Sequence, residues 1–313
     1  MSNNLRNWKL KARVQGVLGS VPFGSRLNDA LQVQLGGLRN FDANVSGKVG
    51  DWLGIAGYLA EAGSPDFGRF DRVLEIGSGW YPVLPLCMVL SGVKRVDTVD
   101  LVPHLSARLT RRAVAALKPH LPVISERGRR ALSEVSAMHA RLSTCDDVDS
   151  LLQVAGVSYR APADATRLSE VADGTYDLVY SNSVLEHVAP DILPRMLGES
   201  RRVLRDGGLM VHAVACNDHY AHFDRSVSFV NYLQFSEAEW RRWNPSFHFQ
   251  NRLRASDFLG LARDAGFEVV HVARTVRPGT REALASMRVA PCFGHYELED
   301  LVTTSVDFVA RKR

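Results

Sequence analysis

The run VLEIGSGWYPVLPL, Val73 to Leu86, decides how the rest of the chain is read. Its apolar start passes into Gly77 and Gly79. Glycines at the end of a buried strand let backbone approach a ligand closely, and the helix that follows offers free N–H groups. A dinucleotide-binding turn would place a third glycine three residues on, where the helix packs beside a pyrophosphate. This chain has Pro82 there, preceded by Trp80 and Tyr81. Bulky side chains and a residue without an N–H make a poor diphosphate cradle, so the turn predicts a ligand with a nucleoside and no phosphates.

Outward from this turn, short apolar runs alternate with helical segments, the signature of a parallel sheet covered on both faces. RVLEI (72–76), RVDTVDL (95–101), VSYRAPAD (157–164), YDLVYSN (176–182), LMVHAVA (209–215) and FEVVHVARTV (267–276) read as strands, and TTSVDFVARKR (303–313) as a last one. A short helix ends near Gly92, a second runs from about His104 to Leu117, and a third from Pro190 to Leu204 stops at Asp206-Gly207-Gly208, while Ser256 is the expected cap of a later one. The segment 121–156 is longer than a normal connection, and Leu132, Val135, Met138 and Leu142 recur in it at helical spacing, so it reads as an inserted helical element. Before the sheet, Val49, Trp52, Leu53, Ala56 and Leu59 mark an amphipathic helix. The expected organisation is a helical lid over 1–68 and a Rossmann-like domain over 69–313 with a cap over about 216–252, rich in His, Trp, Tyr, Phe and Asn.

A chain of 313 residues with 46% hydrophobic content can bury a sizeable core. The net charge of +4, from 38 basic and 34 acidic residues, is too mild and too interspersed to imply nucleic acid as a partner. Cys87, Cys145, Cys216 and Cys292 are widely separated, which suits free thiols in a reducing, cytoplasmic compartment. The apolar stretch around Tyr81 to Val93 carries two prolines and is shorter than the roughly 20 residues of a membrane span. The first 28 residues hold no acid but include Arg6, Lys9, Lys11, Arg13 and Arg26 among apolar residues. A packed lid, a surface-seeking amphipathic helix and a transit peptide all fit that pattern, and an ordinary core-facing lid is the reading adopted.

Three acids stand at successive strand ends. Asp100 ends the second strand, where one carboxylate can satisfy both hydroxyls of a ribose. Glu75, inside the first strand, is costly to bury unpaired and should meet backbone or a cationic ligand group. Asp164, with Ala165 beside it, can accept from an adenine amino group. VLEIGSG, VDTVDL, APADAT, YDLVYSNSVLEHV and RRVLRDGGLMVHA, in this order over residues 72–215, resemble the class I S-adenosylmethionine-dependent methyltransferases. The resemblance implies an α/β fold with a doubly wound, seven-stranded, mostly parallel sheet and a reversed last strand. It implies S-adenosyl-L-methionine as cofactor, with Glu75, Gly77, Ser78 and Gly79 beside the methionine part, Asp100 and Leu101 at the ribose, Asp164 and Ala165 at the adenine, and Ser181 and Asn182 at the methionine end. The turn departs from the family's commoner form at Trp80 to Pro82.

Methyl transfer from a sulfonium needs an aligned nucleophile, exclusion of water and, for most oxygen and nitrogen acceptors, a base. His187 follows the fourth strand and faces the sheet's open end. The run HAVACNDHYAHFD offers His219 and His222 on one side of a helical turn, with Asp224 to orient an imidazole. A divalent metal is the rival reading of that cluster, but no spacing matches a known cage, so none is expected. Tyr220, Asn231, Tyr232, Trp240 and Arg252 are the expected substrate contacts, Arg252 or Arg254 through a carboxylate. The expected activity is methylation of a small molecule on oxygen or nitrogen. S-methylation of a thioether acid, nucleic-acid methylation and a non-catalytic scaffold are the alternatives. The Asn/Asp-Pro-Pro-aromatic run of base-amino methyltransferases is replaced by Ser181-Asn182-Ser183-Val184. A homodimer is an open expectation.

Overall fold

Along β1 (Arg72–Ile76), Val73 points into one hydrophobic cluster while Leu74 and Ile76 point into another, so each face of the strand feeds its own core. This alternation explains why the strands read as unbroken apolar runs: both faces are covered. The computed structural model describes residues 7–19 and 40–313. Arg6, Arg26 and the rest of the expected lid between these segments lie outside the described residues.

The described strands are β1, β2 (Arg95–Val99), β3 (Val157–Arg160), β4 (Tyr176–Asn182), β5 (Leu204–Ala215), β6 (Phe267–Thr275) and β7 (Ser305–Lys312). They form one seven-stranded sheet in the order β3-β2-β1-β4-β5-β7-β6. β1 to β5 pair in parallel, and β7 runs antiparallel between β5 and β6. The expected mostly parallel, doubly wound α/β fold with a reversed last strand is what the chain adopts.

On one face lie α2 (Phe41–Glu61), α3 (Val83–Leu90) and α4 (Ala107–Leu117), around a core that contains Trp52, Ile55 and Leu59. On the other lie α8 (Leu193–Val203) and α10 (Ala255–Asp264), around Met196, Phe258 and Phe308. Between α4 and β3 come three helices, α5 (Leu121–Gly128), α6 (Leu132–Ser143) and α7 (Val148–Ala155). A third cluster joins α1 (Trp8–Gly19) to the connection after β5, which holds α9 (Glu237–Trp240), and to α11 (Thr280–Ser286) and α12 (Leu298–Val302) between β6 and β7. The cap is thus built from two stretches of sequence, and the second of them falls outside the expected 216–252.

Two local expectations are corrected. The residues Asp206-Gly207-Gly208 do not stop a helix. The chain leaves α8 directly into β5 at the buried Leu204, and they form a bulge, since Tyr176 pairs with Leu204 but Leu178 with Leu209. Ser256 lies inside α10, where its N–H and hydroxyl donate to Asp300, and Arg254 takes the cap position. The four cysteines are unpaired, and among the described residues no helix is long and apolar enough to cross a membrane.

Candidate active site

The sheet order reverses between β1 and β4, and the chain beyond both strands opens a crevice at their carboxyl ends, where open α/β sheets bind ligands. The turn after β1 is shaped by contact with the turn after β4. Gly77 sits at φ +91°, and a Cβ there would meet Val184 Cγ2 at 2.4 Å. Only glycine fits beneath Val184. Ser183, just before, is itself left-handed at φ +55°. Beyond these turns lies a cleft of about 620 Å³ lined by Lys48, Asp51, Gly79, Tyr81, Asp100 and Ser183.

Gly79 N–H donates to one Asp100 oxygen at 3.0 Å and Val102 N–H to the other at 3.1 Å. Each oxygen keeps a second lone pair, so the carboxylate is held in place with capacity left for a diol. Glu75 is spent internally. It is buried and accepts from Thr98 and from Tyr180 Oη, and burial, only partly countered by these donors, pushes its carboxyl up to about 7. Ser78 is likewise sealed, its hydroxyl 2.6 Å from that of Thr98. Leu101 and Asp164 are exposed, and Asp164 accepts from Thr166 N–H, which holds its carboxyl below the usual range. Ala165 is half-buried against the second core. Ser181 is fully buried, bonded to His212 Nδ1 at 2.6 Å, so of the expected pair only Asn182 reaches the cleft.

Asn182 Nδ2 donates to Asp51 at 3.0 Å, and both residues also line a second cavity of about 640 Å³. Its wall includes Lys11, Tyr58, His219, His222, Arg277 and Asp307. Tyr58 Oη donates to Asp307 at 2.7 Å. Burial and its like-charged neighbour Asp51 raise the Asp307 carboxyl, even with the Tyr58 bond opposing. A cavity of similar size, about 650 Å³, lies among Gly92, Lys94, Arg130 and Gly156. It sits at the amino ends of β1 to β3, away from the crevice.

The structure brings the expected histidines together. His187 and His219 have ring centroids 5.0 Å apart, His219 and His222 5.9 Å, and His219 and His248 6.0 Å. His187 Nδ1 lies 2.7 Å from the Phe249 carbonyl, and His222 Nε2 lies 3.1 Å from Asn217 Oδ1. Burial pushes His219 down to about 2 and His248 to about 3, with neighbouring imidazoles adding to both. His187 and His222 are also lowered, chiefly by burial. All four rings are therefore neutral near pH 7.

Asp224 does not join them. It accepts from Trp8 N–H at 3.2 Å and from Ser226, and so caps α1. The expected substrate contacts also resolve into packing. Tyr220, Tyr232 and Trp240 are buried in the third cluster, and Tyr220 Oη donates to the Trp243 carbonyl. Asn231 donates to the buried Asp218. Arg252 is spent on Glu237 and on the Tyr232 and Phe235 carbonyls, and Arg254 on Tyr232 Oη and four carbonyls. Arg252 Nε alone lacks a partner among the described residues, and both guanidiniums are buried, so neither reaches a substrate carboxylate.

Sequence reasoning missed the α2 face that walls both cavities, Gly47, Lys48, Gly50, Asp51, Gly54 and Tyr58. A signal was there. The helix holds four glycines, each costing about 1 kcal/mol relative to alanine, and so they ask for a reason. At Gly47 and Gly50 a Cβ would meet nothing within 4 Å, which means these positions clear space beside the crevice.

The sheet order and the crevice at its switch point define the class I methyltransferase architecture. The methyltransferase domain family matches residues 51–272, and the chain belongs to that family of enzymes, whose methyl donor is S-adenosylmethionine. Among solved structures, an S-adenosylmethionine-dependent methyltransferase from Mesorhizobium loti is 17% identical, with 83% of this chain and 100% of that one covered and a TM-score of 0.43. Geranyl diphosphate C-methyltransferase from Streptomyces coelicolor A3(2) is 14% identical over 83% of this chain and 77% of that one, with a TM-score of 0.45. Phosphoethanolamine N-methyltransferase 2 from Haemonchus contortus is 15% identical over 77% and 48%, with a TM-score of 0.41. No curated protein matches. None of these likenesses bears on the acceptor.

Proposed function

We propose that this methyltransferase moves a methyl group to an oxygen or nitrogen atom of a small-molecule metabolite held in the 640 Å³ cavity between α2 and the cap. One observation carries the reading: the two cavities share Asp51, Asn182 and Ser183 as a common wall, so a donor in one adjoins an acceptor in the other. S-adenosylmethionine, when bound, supplies a methyl group on a positively charged sulfur. The residues present fit it. Gly77 and Gly79 keep the strand-end turn low, and Asp100 offers its free lone pairs to the ribose.

His222 serves as the base. Asn217 Nδ2 donates to the Thr304 carbonyl, so its Oδ1 faces His222 as an acceptor. That fixes the proton on Nε2 and leaves the lone pair on Nδ1 to take the acceptor's proton. Incubation with methyl-labelled cofactor and a metabolite extract should label small molecules. Label found only on RNA, DNA or protein overturns the proposal. His222→Ala should lower turnover about 100-fold or more while leaving cofactor affinity unchanged.

A further inference from the structure

The reaction proposed above makes no use of Glu186, and Glu186 is the least satisfied acid near the site. It is 2% exposed. One oxygen accepts from Ala215 N–H at a long 3.3 Å, and Oε2 has no partner among the described residues. A buried carboxylate left this way is costly and calls for a cation or a proton. Slack in the chain does not explain it. The Glu186 carbonyl accepts from Asn251 N–H at 2.9 Å, and Asn251 Nδ2 donates to the carbonyls of Leu185 and Val188, which pins the turn on both sides.

Two imidazoles converge on the same point. His187 Nδ1 faces a carbonyl, which can only accept, so Nδ1 carries the proton and Nε2 presents its lone pair. Metal-bound histidines are oriented in this way, by a carbonyl on the remote nitrogen. His219 is held by its backbone N–H on Gln250 Oε1 at 3.0 Å, and among the described residues nothing hydrogen-bonds to its ring. One ligand atom from each of Glu186, His187 and His219 lies within 4.8 Å of the others. A tetrahedral ion with bonds of about 2.0–2.2 Å spaces its ligands about 3.3–3.6 Å apart. Closing the cluster by up to about 1.5 Å lies within the reach of side-chain rotations.

We infer that Glu186, His187 and His219 form a binding site for a divalent first-row transition ion beside the acceptor cavity. Two nitrogens and one carboxylate suit zinc, cobalt or iron rather than magnesium or calcium, which favour all-oxygen shells. The three residues come from the turns after β4 and β5, so no local spacing in the sequence announces them. His219 also lines the 640 Å³ cavity, which puts one ligand of the ion on the acceptor's wall. There it would bind an acceptor hydroxyl and ease loss of its proton, a role that rests on the proposed small-molecule reaction. The binding site itself does not rest on that reaction.

The test uses the full chain stripped with chelator and titrated with Co²⁺, then Zn²⁺. One equivalent of Co²⁺ should give the intense visible absorption of a tetrahedral ion, and Zn²⁺ should displace it and raise Tm. Glu186→Gln, His187→Ala and His219→Ala should each weaken Zn²⁺ binding by about 100-fold or more, beyond the 10–100-fold typical of outer-shell partners. His222→Ala should bind Zn²⁺ like the parent. Circular dichroism identifies any variant that fails to fold, and for such a variant the conservative His187→Asn or His219→Asn is read instead. Absent Co²⁺ absorption, or Zn²⁺ affinity unchanged in the three variants, overturns the site. A proton shared between Glu186 and an imidazole then explains the cluster, seen as Glu186→Gln raising Tm with no metal effect. Metal binding without label transfer to small molecules would keep the site and remove the proposed reaction.

Discussion

Gly77→Ala tests the contact that shapes the donor cleft. The substitution carries two separable costs. An L-residue at φ +91° costs about 1–2 kcal/mol because its Cβ crowds the following carbonyl. The new Cβ would also stand 2.4 Å from Val184 Cγ2, and such overpacking costs about 1–3 kcal/mol. The second cost disappears if Val184 is trimmed to alanine, and the first does not. In a double-mutant cycle, Gly77→Ala should therefore cost about 2–5 kcal/mol beside Val184 and about 1–2 kcal/mol beside Ala at 184, a coupling of about 1–3 kcal/mol. Part of the penalty should fall on the cofactor. A shift of Val184 that carries Ser183 and Asn182 with it would disturb the cleft they wall, and each 1.4 kcal/mol spent there is about tenfold in Kd. Urea unfolding of the free protein and calorimetric titration with S-adenosylmethionine measure the two shares. An equal cost of Gly77→Ala in both backgrounds would show that Val184 does not lie over this glycine, and the account of the turn would fall.

Other substitutions probe the core, the clamp and the cavity. With the Glu75 carboxyl at about 7 against an ordinary 4.5, the native state holds this proton longer than the unfolded chain, so stability should fall as pH rises through that window. The interval amounts to about 3 kcal/mol at about 1.4 kcal/mol per unit, and Glu75→Gln should flatten it; unchanged slopes in urea melts at pH 4.5 to 7.5 would refute the shift. Arg254 is fully buried and ties the Cys216 and Thr303 carbonyls together, so Arg254→Ala should cost about 3–5 kcal/mol in urea unfolding, with Arg254→Lys recovering only part of it. Gly50→Ala should stabilise α2 by about 0.5–1 kcal/mol at little cost in turnover, because a Cβ there meets nothing. Gly50→Trp should fill the acceptor cavity and abolish methyl transfer with cofactor affinity intact; retained turnover would place the acceptor elsewhere.

The fold was legible because its signals are local. Strand runs such as RVLEI and YDLVYSN are apolar on both faces, and a sheet buried on both sides demands that. The cleft proposed for the cofactor was partly legible for the same reason: Gly77 and Asp100, which line it, stand at fixed offsets from strand ends. What failed was the inference from residue type to exposure. Tyr232, Trp240 and Arg252 are the residues a pocket would use, and equally those a small cluster under a long loop needs for its own packing. Sequence cannot distinguish the two uses, because the partners of Arg252 include backbone carbonyls at 232 and 235, and every residue type offers those. Ser181 failed differently. Strand alternation alone turns it under the sheet toward His212 and gives the crevice to Asn182.

The basic first helix shows why charge by itself named no partner. Lys9 lies over the rings of Trp8 and Trp243, Lys11 over that of Phe223 at 4.7 Å, and Arg13 over that of Trp243 at 5.7 Å. Three of its cations are thus turned toward aromatic faces of this same chain, each contact worth about 0.5–1 kcal/mol where it is exposed. Trp8 packs on Tyr220 and Trp243, and Asp224 accepts from its N–H, so an acid of the cap binds the end of the helix that carries partial positive charge. In a stretch whose lack of acids suggested a membrane surface or a transit peptide, one acid is thus supplied from 216 residues away. Lys11 also reaches the acceptor cavity, and burial there lowers its pKa. The feature that looked like an address in the sequence therefore packs on the cap and gives Lys11 to the wall of the acceptor cavity.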